Sequence, residues 1–521
     1  MKLNYKRTIF VGFAFFLICT FWQAYDTIIP KILTDKFGMT QAHSGIIMAL
    51  DNVLALFMLP LFGAISDKCR HRLGRRTPFI LFGTVIAAVL LVVLSFVDNR
   101  QLKNIEAVAR IDDPAALEVL YDAEQNEAIQ TPDGQQVVLK DRFTKAEFSA
   151  ITAQRLDPDT GKKVTNEDYL NFVVPARQHY AQQVTKNNPG TLVLFIGVLL
   201  IILIAMATFR SPAVALMPDV TMKPLRSKAN AIINLMGTAG GILVLAMGMV
   251  FATGAVKNAL MSYTLFFAIV AGVMLLALVI FRWQVDEPRF VREMEEESAK
   301  YDLDEAAPGE SGDAATRKLS KGEFTSLLLI LASVVFWFMG YNAVTSKYSV
   351  YAGKVLSLDY NSTLMIANVA AIISYLPVGM VASRIGRKKT ILIGICFLAT
   401  AFGVASFLRE GSSALLMNCM FALAGIGWAT INVNSFPMVV ELASGGNIGK
   451  YTGFYYTASM AAQVATPIVS GYLMDRFGMR VLFPYAAVFV CIAFGTMLLV
   501  KHGDSKPEAK KGLEALEGAE D

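Results

Sequence analysis

The chain has 521 residues, 55% of them hydrophobic and only 17% charged, with a net charge of +5. A soluble domain carries roughly 25% charged residues, so a water-soluble globular protein of this size is excluded. The Lys and Arg gather at the ends of apolar runs, where membrane topology accounts for them and nucleic-acid binding is not implied.

The N-terminal segment Met1 to Arg7 is basic and leads into an apolar run that continues to about Leu33 with no small-residue cleavage site. It therefore reads as a first membrane span rather than a signal peptide. A hydrocarbon core of ~30 Å needs about 20 apolar residues per helix. By that measure twelve spans are expected, the first six near 8–34, 43–66, 78–98, 190–217, 229–253 and 262–283. The second six are expected near 323–352, 361–383, 390–408, 414–440, 451–474 and 481–501. The fold class is thus an all-α membrane protein: an N-terminal six-helix half (1–98 and 190–283) and a C-terminal half (323–501).

Three polar pieces complete the chain: an insert at 99–189, a linker at 284–322 and a tail at 502–521. Lys and Arg near span ends are retained in the cytoplasm. Arg70 to Arg76, Lys223 to Lys228, Arg289 to Lys321, Arg384 to Lys389 and Lys450 all follow even-numbered spans. Both termini are therefore expected to be cytoplasmic and the insert extracytoplasmic, in a multi-pass protein of the cell membrane. Asp475 to Arg480 is a small exception to the charge rule. In the insert, Pro132-Asp-Gly-Gln before Val137 predicts a turn into a strand, and Asp157 to Gly161 predicts another turn. The insert reads as a small mixed α/β lobe that is either a tolerated loop insertion or a lid or partner surface. The acidic run Glu293 to Glu297 reads as a solvated face.

The five cysteines (Cys19, Cys69, Cys396, Cys419 and Cys491) suggest neither a disulfide framework nor a metal cluster. There is no Walker-type phosphate loop to support ATP-driven pumping, and no cofactor is implied.

The two halves repeat. Pro60 and Ser66 match Pro377 and Ser383 with one constant offset; beyond the insert, Asp219 and Lys228 match Glu441 and Lys450 with a shorter one, the difference being close to the insert's length. A basic, Gly-containing hairpin lies between spans 2 and 3 (Gly63, Asp67, Gly74, Arg75, Arg76) and is echoed from Ser383 to Lys389. This loop resembles the signature of the major facilitator superfamily, whose architecture is two six-helix halves around a central cavity. The resemblance implies that Asp67, Arg75 and Arg76 form a charge network that latches one conformation; topology alone is the plainer reading.

Asp51-Asn52, Pro60-x-x-Gly63-x-x-Ser66-Asp67 and Gly74 to Ile80 look like the sucrose transporters and their bacterial relatives. Arg210 to Pro218 is similar to span 4 of the glycoside–pentoside–hexuronide symporters. The resemblance covers these segments well, both transmembrane halves loosely and the insert not at all. It implies uptake of a sugar or glycoside driven by a cation. Those symporters hold their cation with paired acids in span 2, at positions that are Ala55 and Leu59 here, and have an acid where Arg210 stands. The span-4 arginine of plant sucrose carriers falls nearer Val214. These departures favour protons over sodium.

A charge at a span centre costs about 2.5–3.5 kcal/mol on insertion scales. Asp26 and Asp51 flank the short turn between spans 1 and 2 at a shared depth, each about eight residues inside its span end. Two carboxylates in one low-dielectric site compete for a proton, as a proton carrier requires. Capping of a polar network is the alternative role. Lys347, near the outer end of span 7, either reaches this pair as an outer gate or snorkels to the surface. Arg210 counts out roughly 15 Å from the depth of Asp26, so it is expected as a donor to substrate hydroxyls or as an inner gate; a direct bridge to Asp26 would need a kink, for which Pro212 and Pro218 are available. Asp219 and Glu441, at matched inner span ends, are expected to pair with Lys228, Lys450 or the motif loops.

Sugar sites combine aromatic faces with amides. The mid-membrane candidates are Trp22, Gln23, Tyr341, Asn342, Asn368, Trp428, Asn432, Asn434, Tyr455 and Gln463, with Asn432 and Asn434 beside Trp428 foremost. Helix packing is the competing role for each. In span 5, Gly237-Thr-Ala-Gly240-Gly241 offers close helix contact and lacks the Gly-Pro pattern of antiporters. The expected function is a sugar:proton symporter working as a monomer in the bilayer. The alternatives are a carrier of another organic solute, in either direction, or a non-transporting membrane sensor, although a mere scaffold would have little use for Asp26, Asp51 and Arg210.

Overall fold

The computed structural model describes residues 3–156, 163–222, 225–300, 320–409, 411–440, 442 and 448–502. Twelve long helices follow one another in two sets of six. Spans 1 to 6 are Tyr5–Lys31, Gln41–Lys68, Thr77–Asn104, Gly190–Asp219, Arg226–Val250 and Thr264–Gln284. Spans 7 to 12 are Lys321–Tyr351, Tyr360–Ile385, Arg387–Ala405, Ala414–Val440, Ile448–Phe477 and Leu482–Leu498. Ten of them are long and apolar enough along their described residues to cross a bilayer. Spans 1 and 7 both run on into a π-helical turn, Ile32–Lys36 and Ala352–Leu356, so the duplication extends to how these helices end.

Local chemistry sets the helix starts. A side-chain oxygen accepts one of the N–H groups that a first turn leaves without a partner. Asn4 does this for span 1, Thr40 for span 2 and Asp359 for span 8, while Ser320 and Glu323 form a capping box at span 7. Each half buries its own apolar core. Phe21, Ile28, Phe195, Met206 and Phe267 belong to the first core, and Trp337, Tyr348, Ile395 and Phe483 to the second. Span 1 packs along spans 5 and 7, span 2 along span 11, and span 5 along span 8.

The insert has a third core around Leu117, Phe148, Tyr169 and Val173. It contains helices Pro114–Glu124 and Val174–Asn187 and two antiparallel hairpins. In the first hairpin, β1 (Ala128–Gln130) pairs with β2 (Gln136–Val138) around Gly134, whose φ of +84° suits a residue without a Cβ. The second joins β3 (Gln154–Leu156) to β4 (Lys163–Thr165); the turn expected over 157–161 lies outside the described residues.

The linker differs from its expectation. Glu287–Lys300 is a helix that lies against the first half, and Glu293 pairs with Arg7 at 3.3 Å, so part of the acidic run is docked rather than solvated. The remainder of the linker, 301–319, and the tail from 503 onward lie outside the described residues.

Candidate functional site: a charged stripe beneath a sealed face

Cys19, Trp22, Gln23 and Asp26 recur at helical spacing and share one face of span 1. Phe21, Ala24 and Tyr25 on the other faces are buried, whereas Trp22 and Gln23 are half-buried and Asp26 is exposed. In mid-span this marks a face lining an interior opening. Close packing of span 5 supports that face: a Cβ at Gly237 would meet Cys19 Sγ at 2.9 Å, and one at Gly241 would touch Gln23 Oε1 at 3.4 Å.

Asp51 of span 2 accepts a hydrogen bond from Asn52 Nδ2 at 2.9 Å. Asp26 feels the charges of Asp51 and Arg210 through space, and Arg210 those of both acids. Arg210 lies close to span 1. Its guanidinium carbon lies 5.6 Å from the centroid of the Trp22 ring, one turn from Asp26. The reason is side-chain direction. Side chains lean toward the N-terminus of their helix, and spans 1 and 4 run in opposite senses, so Trp22 and Arg210 lean toward one another. Counting Cα rise alone overstates their separation. No ion pair joins Arg210 to either acid among the described residues, so the three charges face one another without a closed salt bridge.

In the second half, the Tyr341 ring of span 7 stacks on the Trp428 ring of span 10, centroids 3.7 Å apart and planes at 2°. Phe338 meets Trp428 edge-on at 5.1 Å. Trp428 is buried and Tyr341 half-buried, so Tyr341 offers the accessible aromatic face and Trp428 backs it. Asn342, the next residue, is half-buried and its Nδ2 has no partner among the described residues. Asn368 and Gln463 are half-buried in spans 8 and 11. Asn432 and Asn434 are both buried, and Asn434 Nδ2 returns to the Thr430 carbonyl of its own helix at 2.9 Å. Tyr455 is buried and its hydroxyl pairs with Ser435 Oγ at 2.9 Å, tying span 11 to span 10.

The insert side of the two halves is sealed. Asp475 of span 11 accepts the N–H groups of Gln41 and Ala42, each at 2.7 Å, and so caps span 2 from the opposite half. Lys347 donates to the Gln41 carbonyl at 2.6 Å and feels the charge of Asp475. This corrects both expectations for Lys347: it is fully buried, so it does not snorkel, and its partners are Gln41 and Asp475 rather than the acid pair. The start of span 2 is packed against span 11 and lies within its reach. Close approach is permitted by Gly45 and Gly471, where a Cβ would overlap the Pro467 and Gln41 carbonyls respectively. Thr253 in the first half pairs with the Tyr360 hydroxyl of the second at 2.7 Å, and Lys354 pairs with Asp35 at 2.6 Å. The insert bridges the same seam: Met479 N–H donates to the Pro132 carbonyl at 2.7 Å, and Gln130 Nε2 donates to the Asp475 carbonyl at 2.9 Å.

At the opposite, basic-loop end, Arg76 is the hub. It pairs with Asp67 at 2.5 Å and with Asp219 at 2.8 Å, and it donates to Ser66 Oγ. Arg75 adds a longer contact to Asp219 at 3.5 Å. Asp219 thus pairs with the motif loop. Glu441, expected at the matching place in the second half, lies outside the described residues, as do the side chains of Lys228 and Lys450.

Glu287 and Asp98 are among the buried acids that sequence reasoning missed. Glu287 is buried and accepts the backbone N–H groups of Arg75, Arg76 and Thr77 at 2.6–2.9 Å, placing a carboxylate on the N-terminus of span 3. Gly74 leaves the space for it, at φ +108°. Asp98 forms a fully buried pair with Lys36 at 2.6 Å, joining spans 1 and 3. A charge just beyond or inside a span end was the available signal in both cases.

Comparison with known proteins gives three findings. A family model described as Major Facilitator Superfamily matches residues 184–467 and 363–518, and one described as MFS/sugar transport protein matches residues 10–101. The chain is 25% identical over 131 residues to the MFS-type transporter ppzB of Metarhizium rileyi, covering 25% of this chain and 26% of that protein. It is 36% identical over 67 residues to the sucrose transport protein SUT3 of Oryza sativa subsp. indica, 13% of each. The matched segments therefore span about a quarter or less of these relatives' own length. Among solved structures, an inward open conformation of the xylose transporter XylE from E. coli superposes with a TM-score of 0.57 at 15% identity, covering 99% of both chains. At that identity the likeness is one of fold.

Proposed function

The chain belongs to the Major Facilitator Superfamily, and from that premise we propose that it carries a sugar or glycoside across the cell membrane together with protons, by alternating access. The observation that carries the reading is the mid-span constellation of Asp26 and Asp51 facing Arg210 over the Trp22 ring. An intramembrane carboxylate without a closed salt bridge is costly, and a cargo or a proton supplies its missing partner. Arg210 supplies fixed donors for hydroxyl oxygens. Trp22 and Tyr341 present flat apolar faces to the C–H side of a sugar ring, and Gln23, Asn342, Asn368 and Gln463 supply amides.

The coupling follows from charge. With both acids ionised the trio carries one net negative charge; one proton cancels it, while the Arg210 donors remain available to the cargo. The seal formed by Asp475, Lys347 and Gln41 closes the insert side, and the Asp67–Arg76–Asp219 network braces the first half at the other end, so the two ends bear opposite gating duties. The partial likeness to sucrose transport proteins supports a sugar as cargo.

Uptake into proteoliposomes under an imposed pH gradient, against a panel of mono- and disaccharides, tests this. Accumulation of at least one sugar is expected, with Asp26→Asn and Asp51→Asn losing accumulation but keeping exchange. Gradient-independent binding without accumulation for the whole panel would sink the symport reading.

A further inference from the structure

Where the insert meets the sealed face, a cavity of about 40 Å³ lies among Lys31, Asp35, Tyr169, Arg177, Ser349 and Lys354. Its walls come from the end of span 1, the end of span 7, the segment between spans 5 and 6, and the insert. Arg177 is 4% exposed. Its Nη1 donates to the Tyr169 hydroxyl at 2.8 Å, while its Nε and Nη2 have no acceptor among the described residues. Ser349 Oγ, also buried and on the cavity wall, likewise has no partner among the described residues.

The other charged side chains on the wall have partners. Lys31 Nζ donates to the Thr253 carbonyl at 2.6 Å, and Lys354 Nζ pairs with Asp35 at 2.6 Å. Asp35 also accepts from Gln178 Nε2 at 3.3 Å. Nearby charges are Asp359, which acts on Lys31 through space, and Lys36, which is neutralised by Asp98. Lys31, Arg177 and Lys354 thus stand against Asp35 and Asp359, an excess of one positive charge. A buried guanidinium with two donors unused is costly. One monovalent anion would satisfy the donors and cancel the excess. The space suits it: a water occupies about 10–15 Å³ of this measure, so the cavity has room for a chloride-sized ion.

We propose that this cavity is a binding site for a small monovalent anion of the size of chloride, held by Arg177 and Ser349. The proposal is independent of which cargo the carrier moves. Because the walls come from both halves and the insert, the bound ion holds the insert down on the closed face. It therefore favours the arrangement sealed on the insert side, since a ligand shifts an equilibrium toward the state that binds it better.

The test uses the full chain in detergent, with sodium chloride exchanged for sodium gluconate at constant ionic strength. Chloride is expected to raise the unfolding temperature in a saturable way, and Arg177→Gln to lose that dependence. Should Arg177→Gln fail to fold, Ser349→Ala is expected to weaken it. Bromide in place of chloride is expected to give an anomalous scattering peak within hydrogen-bond distance of the Arg177 guanidinium. Identical unfolding temperatures in the two salts, or a cavity holding only water in bromide, would overturn the proposal.

Discussion

The carboxylate of Asp475 in span 11 receives the backbone N–H of Gln41 at 2.7 Å and so caps span 2 across the boundary between the halves. A helix N-terminus carries about half a positive charge and unpaired donors. An acid brought to it from the other half is a contact that exists only while that side is closed. Lys347 reads the same place from span 7, through the Gln41 carbonyl.

Asp475→Asn keeps the shape and gives up the charge and one acceptor. A hydrogen bond to a charged group contributes about 1.5–3 kcal/mol, so the closed state should lose about 2 kcal/mol, roughly a thirtyfold change in the closed-to-open ratio. Spin labels at the exposed positions Ile46 and Tyr472 should report a longer distance across that mouth than in the parent. An unchanged distance distribution would mean that the cap does not gate.

Arg210→Lys retains the charge but loses the planar fork and its place over Trp22. A cation–π contact of this kind contributes about 0.5–2 kcal/mol. If Arg210 holds the cargo, the half-saturating substrate concentration should rise roughly five- to tenfold with little change in maximal rate. A fall in maximal rate alone would make it a gate instead. Initial-rate uptake kinetics separate the two.

Glu287→Ala removes the acceptor shared by three backbone N–H groups and the Thr77 hydroxyl. The first half should lose about 3 kcal/mol of stability, read as a lower thermal unfolding midpoint. Glu287→Gln, which keeps one good acceptor, should lose less.

His179 in the insert hydrogen-bonds the buried Glu124 at 2.5 Å, and that bond raises its pKa above the ordinary value of 6.5. A raised folded value means that the protonated form is favoured in the folded lobe. Its stabilisation is complete below the unfolded value and fades as pH rises through the elevated folded one. Hydrogen exchange of helix Val174–Asn187 should therefore quicken, beyond the intrinsic rate, on going from pH 6 to pH 8. His179→Gln should abolish this difference.

The spans were legible because each needs only a run of apolar residues, and runs are local. The insert and the motif loop were legible for the same reason. The candidate site was half legible. Asp26 and Asp51 stand out as charges in apolar runs. That Arg210 reaches the Trp22 ring was not legible, because helix rise fixes the backbone and not the lean of a long side chain. For Asn432 and Asn434 the amide composition did not show their surroundings: both are buried, and Asn434 bonds its own helix.

The amino-acid sequence by itself determined the twelve helices, their alternating sense, the duplication and the place where the insert interrupts it, since hydrophobic length and the distribution of Lys and Arg act residue by residue. Only the tertiary structure decided which acids serve as caps, that Lys347 belongs to the seal, and that Arg177 is left with unused donors. Those outcomes depend on backbone N–H groups and carbonyls. Every residue except proline carries the same ones, so no side-chain pattern announces them until packing brings a distant carboxylate or guanidinium to the spot.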